Sequence, residues 1–173
     1  MSFEKAFERT IIYEGGYSDN PYDSGGKTMY GITEKTARDN GYKGKMKDLT
    51  LREAKEIYKD DYWNIIRLDE IDKESMQELM FDTAVNMGVH ASVLFAQRAY
   101  NILNKKGIAV DGVIGPQTIN AINNYRYERD IAFWYISVRV EGYNKIVKSN
   151  EDQKVFIRGW GRRIQSLLDE VVL

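Results

Sequence analysis

The chain has 173 residues, with 25 basic and 26 acidic side chains, two prolines and no cysteine. This length allows one well-buried core or two small lobes that share a core, and the lack of cysteine excludes disulfide bonds and thiolate metal sites. A formal net charge of −1 without any basic run does not indicate nucleic-acid binding, and no apolar stretch approaches the ~20 residues that span a bilayer.

The N-terminal sequence lacks the basic start and apolar run of a secretory signal. We therefore expect synthesis in the cytoplasm. If the substrate lies outside the cytoplasmic membrane, another factor must carry or release the protein there.

The first predicted element is an amphipathic helix. At about 100° per residue, Phe3, Phe7 and Ile11 share one face, and Glu14 returns to that face. Burial and the negative end of the helix dipole would both raise the pKa of a carboxyl group at this position, as a general acid requires. The alternative is a last-turn Glu that points to solvent, with Gly15-Gly16 as the C-cap.

A polar segment rich in glycine and tyrosine follows this helix. Gly25-Gly26 predicts a hairpin turn because glycine tolerates positive φ, and the alternation from Thr28 to Thr33 predicts a small antiparallel sheet. The hairpin would bring Asp23 and Thr28 back toward Glu14, and two carboxyl groups could then flank a glycosidic bond. Alternatively, Asp23 caps the turn through its own backbone.

Aromatic side chains around this segment are candidates for stacking on sugar rings. They are Tyr17, Tyr22, Tyr30 and Trp63. Trp63 follows a helix predicted from Leu51 to Tyr62, which begins with the capping-box pattern of Thr50 and Glu53. Closing the hydrophobic core is the other role open to this tryptophan.

A helix is predicted next from Ser75 to Met87, with an apolar face. Asp82 and Asn86 lie four residues apart at one edge of that face, where they could line a cleft and bind substrate. A structural hydrogen-bond network is the alternative for this pair.

Further helices are predicted over residues 91–104, 118–127, 129–143 and 152–171. A core stripe on the last one comprises Phe156, Trp160, Ile164, Leu167 and Val171. A single histidine, His90, provides no recognisable metal set, and no Ser-His-Asp arrangement has its surrounding motif.

The pattern EGGY…P-x-D-x-GG-x-T-x-x-GIT, which begins at Glu14, resembles glycoside hydrolase family 108, the phage-type endolysins and N-acetylmuramidases. The order of Glu14, Asp23 and Thr28 is also similar to the catalytic segment of tailed-phage lysozymes, although Thr28 follows Asp23 one residue sooner. The segment AQRAYNIL…VDGVIGPQTINAI, Ala96 to Ile122, resembles the predicted peptidoglycan-binding region that accompanies the family. A helix connector is the alternative interpretation of its Asp-Gly turn.

The resemblance implies a mainly α, lysozyme-like fold with a small β-hairpin region beside the active cleft. Residues 1–92 would be the catalytic region, and residues 93–173 would pack on it to form one compact body. The reaction would be hydrolysis of the β-1,4 bond between N-acetylmuramic acid and N-acetylglucosamine in peptidoglycan, with Glu14 as general acid. Asp23 and Thr28 would position water or stabilise positive charge, without a metal or organic cofactor.

The implied partner is the peptidoglycan glycan strand, bound by a monomer that does not insert into membranes. A phage endolysin would reach the bacterial wall after release through a holin or an equivalent. Two other functions stay open. One is a lytic transglycosylase, in which a single acid also acts as base and a hydroxyl of the sugar attacks. The other is a non-catalytic wall-binding or secretion-assisting protein with a lysozyme shape.

Overall fold

The computed structural model describes residues 2–19 and 26–171. In this part of the chain the fold is mainly α, with one small two-stranded antiparallel sheet, which confirms the predicted fold class. Contacts divide the chain into two compact units, one from Ser2 to Ile65 and the other from Ile66 to the C-terminus. They are called the N-terminal and C-terminal units below.

The α-helices are α1 Phe3–Ile11, α2 Glu34–Asp39, α3 Leu51–Tyr58, α4 Glu74–Met87, α5 Val89–Leu103, α6 Pro116–Asn124, α7 Glu128–Ser149 and α8 Ile157–Val171. The strands are β1 Thr28–Met29 and β2 Ile32–Thr33. A π-helical turn spans Lys59–Asn64, and 3₁₀ turns span Met46–Asp48, Leu68–Glu70 and Glu151–Phe156.

The N-terminal unit is built around an aromatic cluster between α1 and the end of α3. The ring centroids of Phe3 and Trp63 lie 5.5 Å apart, and those of Phe7 and Tyr58 are also 5.5 Å apart. Both pairs meet edge to face, an arrangement that aromatic quadrupoles favour. The Lys59 ammonium lies 5.6 Å from the Phe3 ring centroid. The cluster therefore holds α1 against α3 and its π-helical extension.

The first helix is shorter than the sequence predicted. It ends at Ile11, and the N–H groups of Tyr13 and Glu14 donate to the carbonyls of Thr10 and Ile11, three residues back. This tighter pattern is common in the last turn of a helix. Glu14 thus stands on a turn, and the direction of its side chain is set by that turn rather than by helical rotation.

The hairpin turns at Tyr30-Gly31, because Met29 pairs with Ile32. Both turn residues have positive φ, 52° and 74°, as a type I′ turn requires. The strand predicted from Thr28 to Thr33 is therefore split into two short strands. Ser18 adds an antiparallel bridge to Thr28, with N–H···O distances of 3.0 and 2.9 Å. The turn predicted at Gly25-Gly26 lies partly outside the described residues.

In the C-terminal unit α4, α5 and α7 pack on one another. Tyr135 of α7 is fully buried there, and its hydroxyl donates to the Ser92 carbonyl of α5 at 3.2 Å. Burial raises the pKa of Tyr135 to about 12, since a phenolate is poorly stabilised away from water.

A buried ionic network joins three helices of this unit. The carboxylate of Asp82 on α4 accepts from Arg139 of α7 at 2.6 Å and from Arg163 of α8 at 2.8 Å. Arg139 also donates to the Tyr143 hydroxyl at 3.0 and 2.8 Å, and Tyr143 donates to Asn86 at 2.6 Å. Burial alone would lower the pKa of Arg139, but the charge of Asp82, the hydrogen bond to it and the nearby Tyr143 together raise the pKa.

The last predicted helix differs from the structure in its first turn. Residues Glu151–Phe156 form a 3₁₀ turn, and α8 begins at Ile157. Phe156 is 51% exposed, so its predicted core position is wrong. Trp160 stacks on Tyr143 with ring centroids 4.5 Å apart, and Leu167 is buried. Of the stripe residues whose burial is described, Leu167 is buried, and Trp160 and Ile164 are half-buried.

The loop between α5 and α6 is organised by the buried side chain of Gln97. Its Oε1 accepts from the N–H groups of Asp111 and Gly112 at 3.0 and 2.8 Å. Its Nε2 donates to Asp111 Oδ1 at 2.8 Å and to Thr118 Oγ1 at 3.1 Å. Gly112 has a φ of 69°, a conformation that favours glycine. The Asp-Gly motif is therefore a helix connector.

The ionic network leads to a stability prediction. We expect Asp82→Asn to lower the free energy of unfolding by about 3–5 kcal/mol, because two buried guanidinium groups lose their counter-charge. Glu141→Gln is the matched control. It makes the same chemical change in the partly exposed Arg98–Glu141 pair and should cost less than about 1 kcal/mol. Urea unfolding followed by circular dichroism measures both, and equal losses would contradict the prediction.

Candidate functional site

Glu14 lies against the hairpin turn of the N-terminal unit. The side chain is half-buried, and Gly31 leaves the space that it occupies. A Cβ at position 31 would stand 2.6 Å from Glu14 Oε2 and 2.9 Å from the Tyr58 hydroxyl oxygen. The Glu14 carboxyl oxygen and the Tyr58 hydroxyl oxygen therefore both lie close to the Gly31 backbone, on the side where a Cβ would project. Only a residue without a side chain fits between the turn and the carboxyl group.

Tyr58 connects this turn to the aromatic cluster. Its hydroxyl donates to the Tyr30 carbonyl at 2.9 Å, and its ring packs on Phe7. The side chain is buried, so the hydrogen bond is shielded from competing water. Through this contact α3 holds the left-handed Tyr30-Gly31 turn beside Glu14.

Tyr62 is a second tyrosine close to the acid. Its ring centroid lies 5.4 Å from that of Tyr58, and it belongs to the π-helical turn after α3. Burial, followed by the charges of Asp61 and Glu14, raises the pKa of the Tyr62 hydroxyl. Tyr62 thus stays protonated near neutral pH and can donate or accept a hydrogen bond.

The other predicted residues of this segment are only partly described. Asp23 and Tyr22 lie outside the described residues. Thr28 is half-buried in β1, and its backbone is held by Ser18. Tyr17 is 45% exposed, and its hydroxyl donates to Asp19 at 3.3 Å. Tyr30 is half-buried on the turn itself. The structure thus brings the Gly31 backbone of the hairpin turn to Glu14.

Two predicted substrate-binding positions are corrected by their burial. Trp63 is 1% exposed and packs edge-on against Phe3, so its indole closes the core and presents no face to a sugar. Asp82 is 2% exposed and is paired with two arginines, so its carboxylate is part of the structural network. Asn86 is half-buried and accepts the hydroxyl proton of Tyr143 in that network.

Sequence reasoning missed the two residues that border Glu14, Gly31 and Tyr58, and it did not connect Tyr62 with the acid. The four-residue spacing of the two tyrosines was a visible signal for a shared helix face. Their proximity to Glu14 was not, because it depends on the packing of α1 against α3. Over the described residues there is no cluster of three or more acidic, histidine or cysteine side chains that could hold a metal ion. In the same residues, no helix has the length and apolar character of a membrane span.

Comparisons with known proteins agree with the resemblance seen in the sequence. The family model Glycosyl hydrolase 108 matches residues 7–88, and the model Predicted Peptidoglycan domain matches residues 91–165. The first match includes α4, which belongs to the C-terminal unit by its contacts. That the two predicted regions pack as one compact body stays a prediction.

A solved structure, that of SagA from Brucella abortus, is similar over 98% of this chain and 93% of that chain. The two share 28% sequence identity, with a TM-score of 0.77. No curated protein matches the sequence. With both family models matched in the predicted order, the protein is a glycoside hydrolase of family 108 that acts on peptidoglycan and carries a C-terminal predicted peptidoglycan domain.

Proposed function

We propose that the enzyme is an N-acetylmuramidase that hydrolyses the β-1,4 bond between N-acetylmuramic acid and N-acetylglucosamine, with Glu14 as general acid. The observation that carries the proposal is the position of Glu14. Its half-buried carboxyl group lies beside the Tyr30-Gly31 turn, within the family 108 region. A carboxyl group flanked by packed groups and partly withdrawn from water favours its neutral form, which is the form that donates a proton.

The chemical step needs a second group on the far side of the bond. In the proposal, Glu14 gives its proton to the leaving oxygen while Asp23, assisted by Thr28, positions water or stabilises the developing positive charge. Two carboxyl groups suffice for this reaction. Tyr17, Tyr22 and Tyr30 are candidates for sugar contact, and the raised pKa expected for Glu14 stays a prediction. We favour inversion, for which a gap of about 6.5–9.5 Å between the carboxyl groups leaves room for water.

We further propose that this enzyme is a monomeric, bacteriolytic protein of the phage endolysin type, which reaches the wall from the cytoplasm after another protein has opened the membrane. The support is the resemblance of the segment that begins at Glu14. The test is expression in a bacterial host with and without a holin. Lysis only in its presence is expected, and lysis without any membrane-opening protein would contradict this route.

The role of Glu14 is tested by Glu14→Gln, which keeps the shape of the side chain and removes its acidic proton. We expect a normally folded protein whose rate falls by at least about 100-fold, the usual contribution of general acid catalysis. Clearing of purified cell walls measures the rate. Glu8→Gln is the matched control, because Glu8 is an exposed glutamate on α1, and it should retain activity. Near-full activity of Glu14→Gln would remove Glu14 from the mechanism.

Product analysis and a second variant separate the related reactions. A muramidase leaves a reducing N-acetylmuramic acid, whereas a transglycosylase leaves an anhydro sugar that is lighter by one water. Asp23→Asn should cost roughly 100-fold in rate while substrate binding survives. If its turnover stays near wild type, Asp23 is a turn-capping residue, and an anhydro product would then assign the transglycosylase reaction.

The Gly31 contact predicts how sensitive Glu14 is to its position. Gly31→Ala would place a methyl group within 2.6 Å of Glu14 Oε2. The acid can move away because it is at the end of a flexible side chain. We expect kcat to fall by at least about tenfold, since small displacements of a catalytic group are costly. Activity measured with soluble wall fragments gives this value.

Gly41→Ala is the control for backbone strain. Gly41 has a φ of 83° and nothing within 4 Å of an added Cβ. Both substitutions therefore carry a similar left-handed backbone cost of roughly 1–2 kcal/mol, and thermal unfolding should show comparable losses. Only Gly31→Ala should lose kcat. An equal loss of kcat in the two variants would mean that strain, rather than displacement of Glu14, causes the effect.

A further inference from the structure

A groove of about 700 Å³ lies in the C-terminal unit, between the end of α5, the outer face of α6 and the segment that leads into α7. We propose that this groove is a binding subsite for the N-acetylated glycan strand of peptidoglycan. The groove would bind the same glycan strand that the proposed active site cleaves. It carries no acidic group among its described lining residues, and its binding does not depend on catalysis by Glu14.

The outer face of α6 presents a row of side-chain amides to the groove. Gln117, Asn120 and Asn124 are spaced three and four residues apart and so share one helix face. All three are exposed, and within the described part of the chain no hydrogen bond of their side chains is found. The row extends over about 10 Å at 1.5 Å per residue. The row therefore offers a short glycan segment hydrogen-bond donors and acceptors that the protein itself does not use.

The opposite face of α6 explains why these amides point outward. Thr118, Ile119 and Ile122 are buried, which fixes the rotation of the helix. No residue of α6 is charged, although charged side chains are the usual occupants of an exposed helix face. Each amide supplies both a donor and an acceptor, as do the hydroxyl and acetamido groups of the sugar.

Tyrosine rings form the other side of the groove. Tyr125 lies edge-on to both Tyr100 and Tyr127, with centroids 6.4 Å apart in each pair. Tyr127 is 54% exposed, so part of its side chain is accessible to a ligand. Tyrosine combines a flat apolar face with a polar tip, which suits the CH-rich face and hydroxyl edge of a pyranose ring.

The charge of the groove favours a sugar over a polyanion. Of the described residues that line it, Arg126 alone is charged, and its guanidinium lies 5.3 Å from the Tyr127 ring centroid. A polyphosphate would call for several cations, whereas a largely neutral strand needs hydrogen bonds and stacking. The one arginine can donate hydrogen bonds to the hydroxyl and acetamido oxygens of the sugars. The region also falls within the match to the predicted peptidoglycan domain.

The test uses the full chain with Glu14→Gln, so that hydrolysis does not consume the ligand, and soluble N-acetylglucosamine oligomers as the probe. We expect Tyr127→Ala and Asn120→Ala each to weaken binding by about tenfold, measured by calorimetry and by co-sedimentation with purified peptidoglycan. Phe156→Ala is the matched control for Tyr127, because Phe156 is a similarly exposed aromatic residue of the same unit.

Each outcome decides the assignment. Weaker glycan binding in the two groove variants, with binding retained in Phe156→Ala, supports the assignment. Unchanged binding in both groove variants overturns it, and so does an equal loss of binding in Phe156→Ala. Competition by free stem peptide but not by the oligomers would assign the groove to peptide and also overturn the glycan assignment. Both replaced side chains are exposed, so native circular dichroism is expected. Failure of the proposed function would instead appear as retained activity in Glu14→Gln, which leaves these binding results unaffected.

Discussion

The buried carboxylate of Asp82 is the interaction on which the C-terminal unit depends. It receives guanidinium groups from α7 and α8, so the positions of three helices are set by one side chain. The oxygens of Tyr143 and Asn86 also accept hydrogen bonds from Arg139. Such a network contributes less to stability than apolar packing would. Its effect here is to define which helix faces meet.

In the N-terminal unit, aromatic packing and one hydrogen bond, rather than an ionic network, set the positions of the elements. Aromatic packing joins α1 to α3, and Tyr58 extends that packing to the hairpin turn by a single hydrogen bond. The acid is thus held by a sequence of contacts from core to turn. If Glu14 is the general acid, as proposed, rigid support of this kind would keep it close to its working position.

The elements that sequence predicted well are those with local causes. The capping box at Thr50 and Glu53 is present as expected, and α4 to α7 follow the apolar periodicity, because a helix face is encoded in neighbouring residues. The early end of α1 and the π-helical turn after Tyr58 were missed, since several hydrogen-bond registers suit the same pattern of residues. For Trp63 and Asp82 the sequence left a substrate-binding and a structural role open, because burial depends on partners far away in the chain. Glu14 was found through its motif, whereas Gly31 and Tyr58 became visible only through tertiary packing.

The exposed 3₁₀ turn before α8 has a consequence for the lifetime of the protein among proteases. Val155 and Phe156 of this turn and Ile157 at the start of α8 are 75%, 51% and 49% exposed, so proteases that cleave beside large apolar residues can reach them. A cut at this place would separate the helix that carries Arg163 from the rest of the unit. Of the two arginines that pair with Asp82, only Arg139 would then remain on the same polypeptide fragment. Resistance to proteolysis is therefore expected to depend on the short segment Glu151–Phe156 as well as on the packing of the core.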